Sequence, residues 1–81
     1  FGASATDPVD WQITRWASDP FSLGSYSFNA LGSDPEDRAV LAQPIGGVIF
    51  FAGEAASQDF FGTAHGAYLS GVEAARAMMI A

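Results

Sequence analysis

An α/β fold is what this sequence predicts, or α+β if the chain stands alone. Three observations carry that expectation. Val48-Ile49-Phe50-Phe51 is a short apolar run with Gly46-Gly47 before it and Ala52-Gly53 after it, the length and type of a fully buried strand. A single carboxylate, Glu54, follows at once. After an irregular polar and aromatic loop, Gly62-Thr63 opens a long stretch of small residues at helical spacing. Strand, acidic turn, loop and helix start form the corner at which α/β proteins hold cofactors.

In chain order, Phe1 to Pro8 is small and polar and reads as a loop. Val9 to Trp16 partly alternates, with Val9, Trp11 and Ile13 on one side and Asp10, Gln12 and Thr14 on the other, which predicts a half-buried strand. Asp19-Pro20 ends it, because the residue before proline avoids the helical region and proline cannot donate to a ladder. Phe21 to Phe28, FSLGSYSF, reads as a glycine-containing turn followed by an extended segment. Ser33-Asp34-Pro35-Glu36 starts a short helix that runs to about Ala42. Ser33 or Asp34 suits the cap, Pro35 the first helical position, and Glu36 and Asp37 the positive end. Pro44 stops it, and Gln43 to Gly47 leads into the apolar run. The longest helix is expected over Gly62 to Ile80. Gly66, Ser70 and Ala74, four apart, give it a face that approaches a sheet or another helix closely.

Composition narrows the function. The chain has 81 residues, enough for one small domain, and 49% of them are hydrophobic. That load predicts apolar faces that need surfaces from elsewhere, and self-association of the chain if it is isolated. Net charge is −6 and lysine is absent, so Arg15, Arg38 and Arg76 are the only strong cations. No basic patch forms, which argues against nucleic acid as a partner and against a polybasic membrane contact. Without cysteine there is no disulfide, thiolate metal site or thiol catalysis, and no metal-ligand spacing occurs. The acidic balance suits a cationic amine ligand. The sequence assigns no compartment.

Several residues are chemical candidates on their own terms. Glu54, just past the strand, either accepts hydrogen bonds from a ribose or ribityl hydroxyl or caps a nearby helix start. Thr63 reads as an N-cap, and the N–H groups beyond it, from Ala64 on, form a site for an anion or a carbonyl oxygen. Tyr26 reads as half-buried packing with a satisfied hydroxyl. His65, the only histidine, reads as structural, and no Ser-His-Asp arrangement is present.

FFAGE, the nine-residue step from Glu54 to Thr63, and GTAHGAYLSG resemble the C-terminal FAD-binding segment of the flavin-containing amine oxidases. That family includes polyamine oxidases, monoamine oxidases, L-amino-acid oxidases and lysine-specific histone demethylases. TRWASDPFSLGSYS, Thr14 to Ser27, is similar to a second segment of the family. Together the two cover roughly residues 11 to 78, and the polyamine oxidase and demethylase branch is the most similar. The resemblance implies that the chain is one C-terminal piece of an oxidase. Residues 11–30 would be an extended segment facing substrate and flavin, 33–43 a short helix, and 48–80 the last strand, loop and helix of a Rossmann-like FAD domain.

The resemblance also implies roles. Trp16, Gly53, Glu54, Thr63 and Ala64 would bind the cofactor. The Ala64 N–H would face the flavin pyrimidine carbonyl, where it stabilises the reduced, anionic flavin. Trp16 stays open between packing near the flavin and packing in the core. Tyr26 and Thr63 would be the two walls of an amine cage, orienting substrate rather than transferring protons. Thr63 stands where some relatives have an aromatic residue, which leaves a wider, less amine-specific pocket. Ser25 stands where monoamine oxidases carry the cysteine bonded to flavin, so FAD here would be non-covalent. The implied reaction is hydride transfer from the carbon beside an amine to flavin N5, giving an imine, with O2 as acceptor and H2O2 as product.

No G-x-G-x-x-G occurs, and the active-site lysine typical of the family has no counterpart in a chain without lysine. Both would come from the remainder of the oxidase polypeptide, so this piece is not expected to be active by itself. The alternative is a stand-alone, non-catalytic interaction module derived from the family.

Overall fold

The computed structural model describes residues 1–80. Two helices dominate it: α1, Asp37–Leu41, and α2, Ala64–Ile80. Two single 3₁₀ turns accompany them, Gly2–Ser4 and Glu54–Ala56. The Glu54–Ala56 turn is the hub, because both α1 and α2 pack against it.

The long helix forms where the small residues predict it. Its five alanines favour the helical state, and only two β-branched residues, Val72 and Ile80, oppose it. It begins at Ala64 rather than Gly62. Gly62 takes φ 70, a left-handed value suited to glycine, and sets the bend into the helix. Thr63 caps the start: its Oγ1 accepts the Gly66 N–H at 2.9 Å and donates to the Phe60 carbonyl at 2.6 Å. The stripe of small residues meets the Glu54–Ala56 corner and the loop beyond it. Gly66 is buried against the Phe60 carbonyl. Ser70 Oγ accepts the Gly53 N–H at 2.8 Å and points its proton between Gly53 O, 3.0 Å, and Ala67 O, 2.8 Å.

The short helix is shorter than expected at its start, where Asp34–Glu36 form a turn ahead of it. The Asp34 carboxylate accepts the Glu36 N–H at 2.9 Å, and Asp37 reaches back to the Asp34 N–H at 3.0 Å. The first bond is the local side-chain-to-backbone turn that aspartate favours, and the second matches the back-bond of a capping box. Ser33 instead donates to Ala30 O.

Neither expected strand forms within this chain. Val9 to Trp16 has no ladder partner, and Val9, Trp11 and Ile13 are exposed. Val48 to Phe51 is not buried: Val48 is 78% exposed. Ile49 makes one isolated antiparallel bridge, to Ile45, across a turn in which Gly46 and Gly47 take φ 59 and 70. The reason is the same for both. A strand needs a neighbour to satisfy its backbone groups and a layer to cover its face, and the described residues supply neither.

No hydrophobic side chain among the described residues is buried. The Cα radius of gyration is 18.5 Å, against roughly 12 Å for a compact chain of this length. Arg38 is the one buried charged side chain described, 7% exposed. Order at the hub therefore comes from directional polar bonds more than from an apolar core.

Candidate functional site

The hub is built around Glu54. Its Oε1 accepts the Ser27 N–H at 2.7 Å, and its Oε2 accepts the Ser27 hydroxyl at 2.7 Å and the Gly62 N–H at 2.6 Å. One carboxylate thus ties residues 27 and 62 to the Glu54–Ala56 turn. A carboxylate offers about four acceptor directions, of which three are taken. The direction left, on Oε1, is free for a further donor. These bonds hold the Glu54 carboxyl below its ordinary value of 4.5. The Ser27 hydroxyl is the largest cause. The backbone N–H groups of Ser27 and Gly62 and the charge of Arg38 add to it, against partial desolvation.

Arg38 locks the same assembly from the other side. Its Nε donates to Asn29 Oδ1 at 3.0 Å, and its Nη1 donates to Ser27 Oγ at 2.7 Å and to Ala55 O at 3.1 Å. Its guanidinium carbon lies 4.0 Å from the Phe61 ring centroid, a cation–π contact.

This clamp brings Tyr26 to the start of α2. A Cβ added to Gly62 would lie 3.7 Å from Tyr26 Cδ2, so the ring passes close beside the Gly62 backbone, one residue from Thr63. The ring is otherwise open, with Tyr26 72% exposed. The Thr63 hydroxyl is used up in capping, donating to the Phe60 carbonyl and accepting the Gly66 N–H. The N–H groups of Ala64 and His65, in the first turn of α2, have no acceptor among the described residues. With the helix dipole behind them they form a ready site for a carbonyl oxygen or an anion. The His65 ring packs against Phe60, centroids 4.9 Å apart.

Gly53 has φ 148, and the space its Cβ would occupy is empty, so a ligand can approach the main chain there. Trp16 lies outside the clamp. Its carbonyl accepts the Gly24 N–H at 2.8 Å, closing the turn before Ser25 and Tyr26, and its side chain is half exposed. Tyr26, Gly53, Glu54, Thr63 and Ala64 thus gather around one corner, with Trp16 at the base of the segment that brings Tyr26 to it.

Arg38 and Ser27 are central to this site, yet neither stands out in the sequence. Arg38 carries one faint signal, a cation running straight into the apolar residues Ala39 to Ala42. Ser27 carries none, because its partners lie 27 and 11 positions away.

Comparison with known proteins bears on the same corner. The chain is 46% identical to lysine-specific histone demethylase 1 homolog 1 of Arabidopsis thaliana over 99% of its own length and 10% of that protein. It is 49% identical to polyamine oxidase 4 of Oryza sativa subsp. japonica over 88% of its length and 14% of that protein. It is 51% identical to histone demethylase-like protein A of Aspergillus fumigatus over 85% of its length and 6% of that protein. The chain spans about a tenth of the length of the first two Arabidopsis relatives it matches. A family model described as flavin containing amine oxidoreductase matches residues 1–79, a span that takes in every residue of the Glu54 corner, and the chain belongs to that family.

Proposed function

We propose that this chain is the C-terminal part of an FAD-dependent amine oxidase, contributing the last strand and helix of a Rossmann-like FAD domain and one side of the amine site. The observation that carries this reading is the convergence of Tyr26, Gly62 and the free N–H groups of Ala64 and His65 at one corner. That corner fits FAD. Two N–H donors at a helix start suit a flavin carbonyl, the empty space at Gly53 admits a ligand against the backbone, and Glu54 keeps one acceptor direction for a hydroxyl.

FAD, when bound, supplies the two-electron acceptor for the oxidation of an amine to an imine, with dioxygen leaving as hydrogen peroxide. The chain's own residues orient and polarise. Ala64 and His65 offer N–H groups to an electron-rich carbonyl, worth most where water is excluded. Tyr26 and the Thr63 methyl flank the place of the amine and hold it for reaction. None of these groups moves a proton. Ser25, a residue without a thiol, suits non-covalent FAD. The names of the relatives suggest a polyamine or a methylated lysine as the substrate class, and the net charge of −6 favours either cation.

The lack of any buried hydrophobic side chain among the described residues favours a part that docks on the remainder of a longer oxidase over a stand-alone interaction module. In that setting Val48 to Phe51 would gain its neighbouring strands.

The test is to purify the polypeptide that carries this chain and record its flavin spectrum. Oxidised flavin that bleaches when spermine or a dimethyl-lysine peptide is added without oxygen, and returns with stoichiometric peroxide when oxygen is admitted, supports the proposal. A polypeptide that binds no flavin overturns it.

A further inference from the structure

We infer that Arg38 is a positioning residue for the amine site. It holds the Tyr26–Ser27 segment at a set distance from the start of α2, and so sets how an amine sits beside Tyr26. The inference rests on the oxidase reading for what fills the site, and on contacts within this chain for the positioning.

An arginine leaves water only where its charge and donors are met. Arg38 is 7% exposed in a chain that buries no described hydrophobic side chain, so its burial is not a by-product of a core. Its planar fork spans three segments. Asn29 and Ser27 belong to the segment that carries Tyr26, Ala55 belongs to the turn after Glu54, and Phe61, under the guanidinium, precedes Gly62.

Proton directions make the link rigid. A guanidinium only donates and an ionised carboxylate only accepts. Ser27 has one hydroxyl proton, which goes to Glu54 Oε2, so its oxygen must accept from Arg38 Nη1. The order Arg38 to Ser27 to Glu54 to the Gly62 N–H then has one arrangement. Ser27 cannot turn without breaking it, and Tyr26 is the next residue along the backbone. A lysine keeps the charge but lacks the fork and the stacking face, so it cannot replace all of these contacts at once.

The experiment compares the polypeptide carrying this chain with its Arg38→Met and Arg38→Lys variants. It reads amide hydrogen exchange at Ser27 and Gly62, flavin content, and steady-state kinetics with whichever of spermine or a dimethyl-lysine peptide the wild type turns over. In Arg38→Met the expectation is exchange at both amides faster by about tenfold. At unchanged flavin content, KM rises about tenfold while kcat changes less than about twofold. Arg38→Lys falls between, and carries the test if the methionine variant does not fold. Unchanged exchange overturns the clamp. Faster exchange with unchanged KM makes Arg38 merely structural and overturns the inference while the oxidase reading stands. A wild type without flavin overturns the oxidase reading, and this inference with it.

Discussion

Gly66 is where an ordinarily stabilising substitution should do harm. In a helix interior, replacing glycine by alanine gains about 1 kcal/mol, because alanine loses less backbone freedom. At Gly66 the added methyl would overlap the Phe60 carbonyl oxygen and lie 2.8 Å from the Phe60 carbonyl carbon and 2.9 Å from Thr63 Oγ1. Two of these atoms are backbone and cannot swing aside. The Phe60 carbonyl must move, which breaks the bond it accepts from Thr63 and displaces the hydroxyl that caps the Gly66 N–H. A lost cap costs about 1 kcal/mol, and forcing a methyl into a filled site costs about 2 kcal/mol. Set against the gain in propensity, the net is a loss of about 2 kcal/mol. Urea unfolding of the polypeptide carrying the chain measures it, with Gly71→Ala as the internal control. Gly71 lies on the same helix with nothing within 4 Å of its added Cβ, so there alanine should stabilise by about 1 kcal/mol. A Gly66→Ala variant as stable as wild type would refute the close approach of α2 to Phe60. A destabilised Gly71→Ala would mean that another segment lies against that face.

Four further outcomes follow from the same contacts. Ser27→Ala removes the hydroxyl between Arg38 and Glu54 and should cost about 2 kcal/mol in urea unfolding, since both bonds involve a charged partner; a neutral result would mean the two charges re-pair directly. Glu54 has its folded pKa lowered, so its contribution is complete above about 4.5, the ordinary value, and is lost as pH falls through the lowered one. The stability difference between wild type and Glu54→Gln should therefore be flat above about pH 5 and shrink on acidification, and a difference that grows in acid contradicts this sign. Thr63→Ala should lose about 1 kcal/mol of capping while Thr63→Ser keeps it; if the methyl lines the amine site, Thr63→Ser alone raises KM at unchanged stability. The isolated chain should self-associate in sedimentation velocity, given exposed Phe1, Val9, Phe21 and Leu31, and a lone monomer with a cooperative melt would contradict that.

What was legible in the sequence was what depends on near neighbours. The start of α2 follows from Gly62-Thr63 and the alanines after them. The turn ahead of α1 follows from Asp34, Pro35 and Asp37, all within one helical turn. The gathering of Tyr26, Glu54 and Thr63 was legible only as a resemblance between long ordered motifs, because no spacing rule joins residue 26 to residue 62. In the sequence Arg38 is one of three scattered cations, since its role depends on partners 9 to 17 positions away. Val48 to Phe51 shows the reverse case. The pattern of a buried strand states what the residues need, a ladder and a cover, and these described residues do not provide them.

The absence of a core and the presence of the clamp belong together physically. Apolar packing is non-directional and needs volume, which an extended chain of 81 residues does not have. Hydrogen bonds to charged groups are directional and fix a geometry with few atoms. Three segments distant in sequence are therefore held by Arg38, Ser27 and Glu54, while no described hydrophobic side chain is buried. The clamp should then tighten when the remainder of a polypeptide covers it, because excluding water raises the effective strength of each charged bond. Salt tests this division. Added salt screens exposed charges strongly and covered ones little. In the isolated chain Arg38 is buried but the Glu54 carboxylate is only part-buried, so exchange at the Ser27 and Gly62 amides should rise with salt through Glu54. In the complete polypeptide it should stay nearly constant, and equal salt dependence in both would mean that nothing covers the clamp.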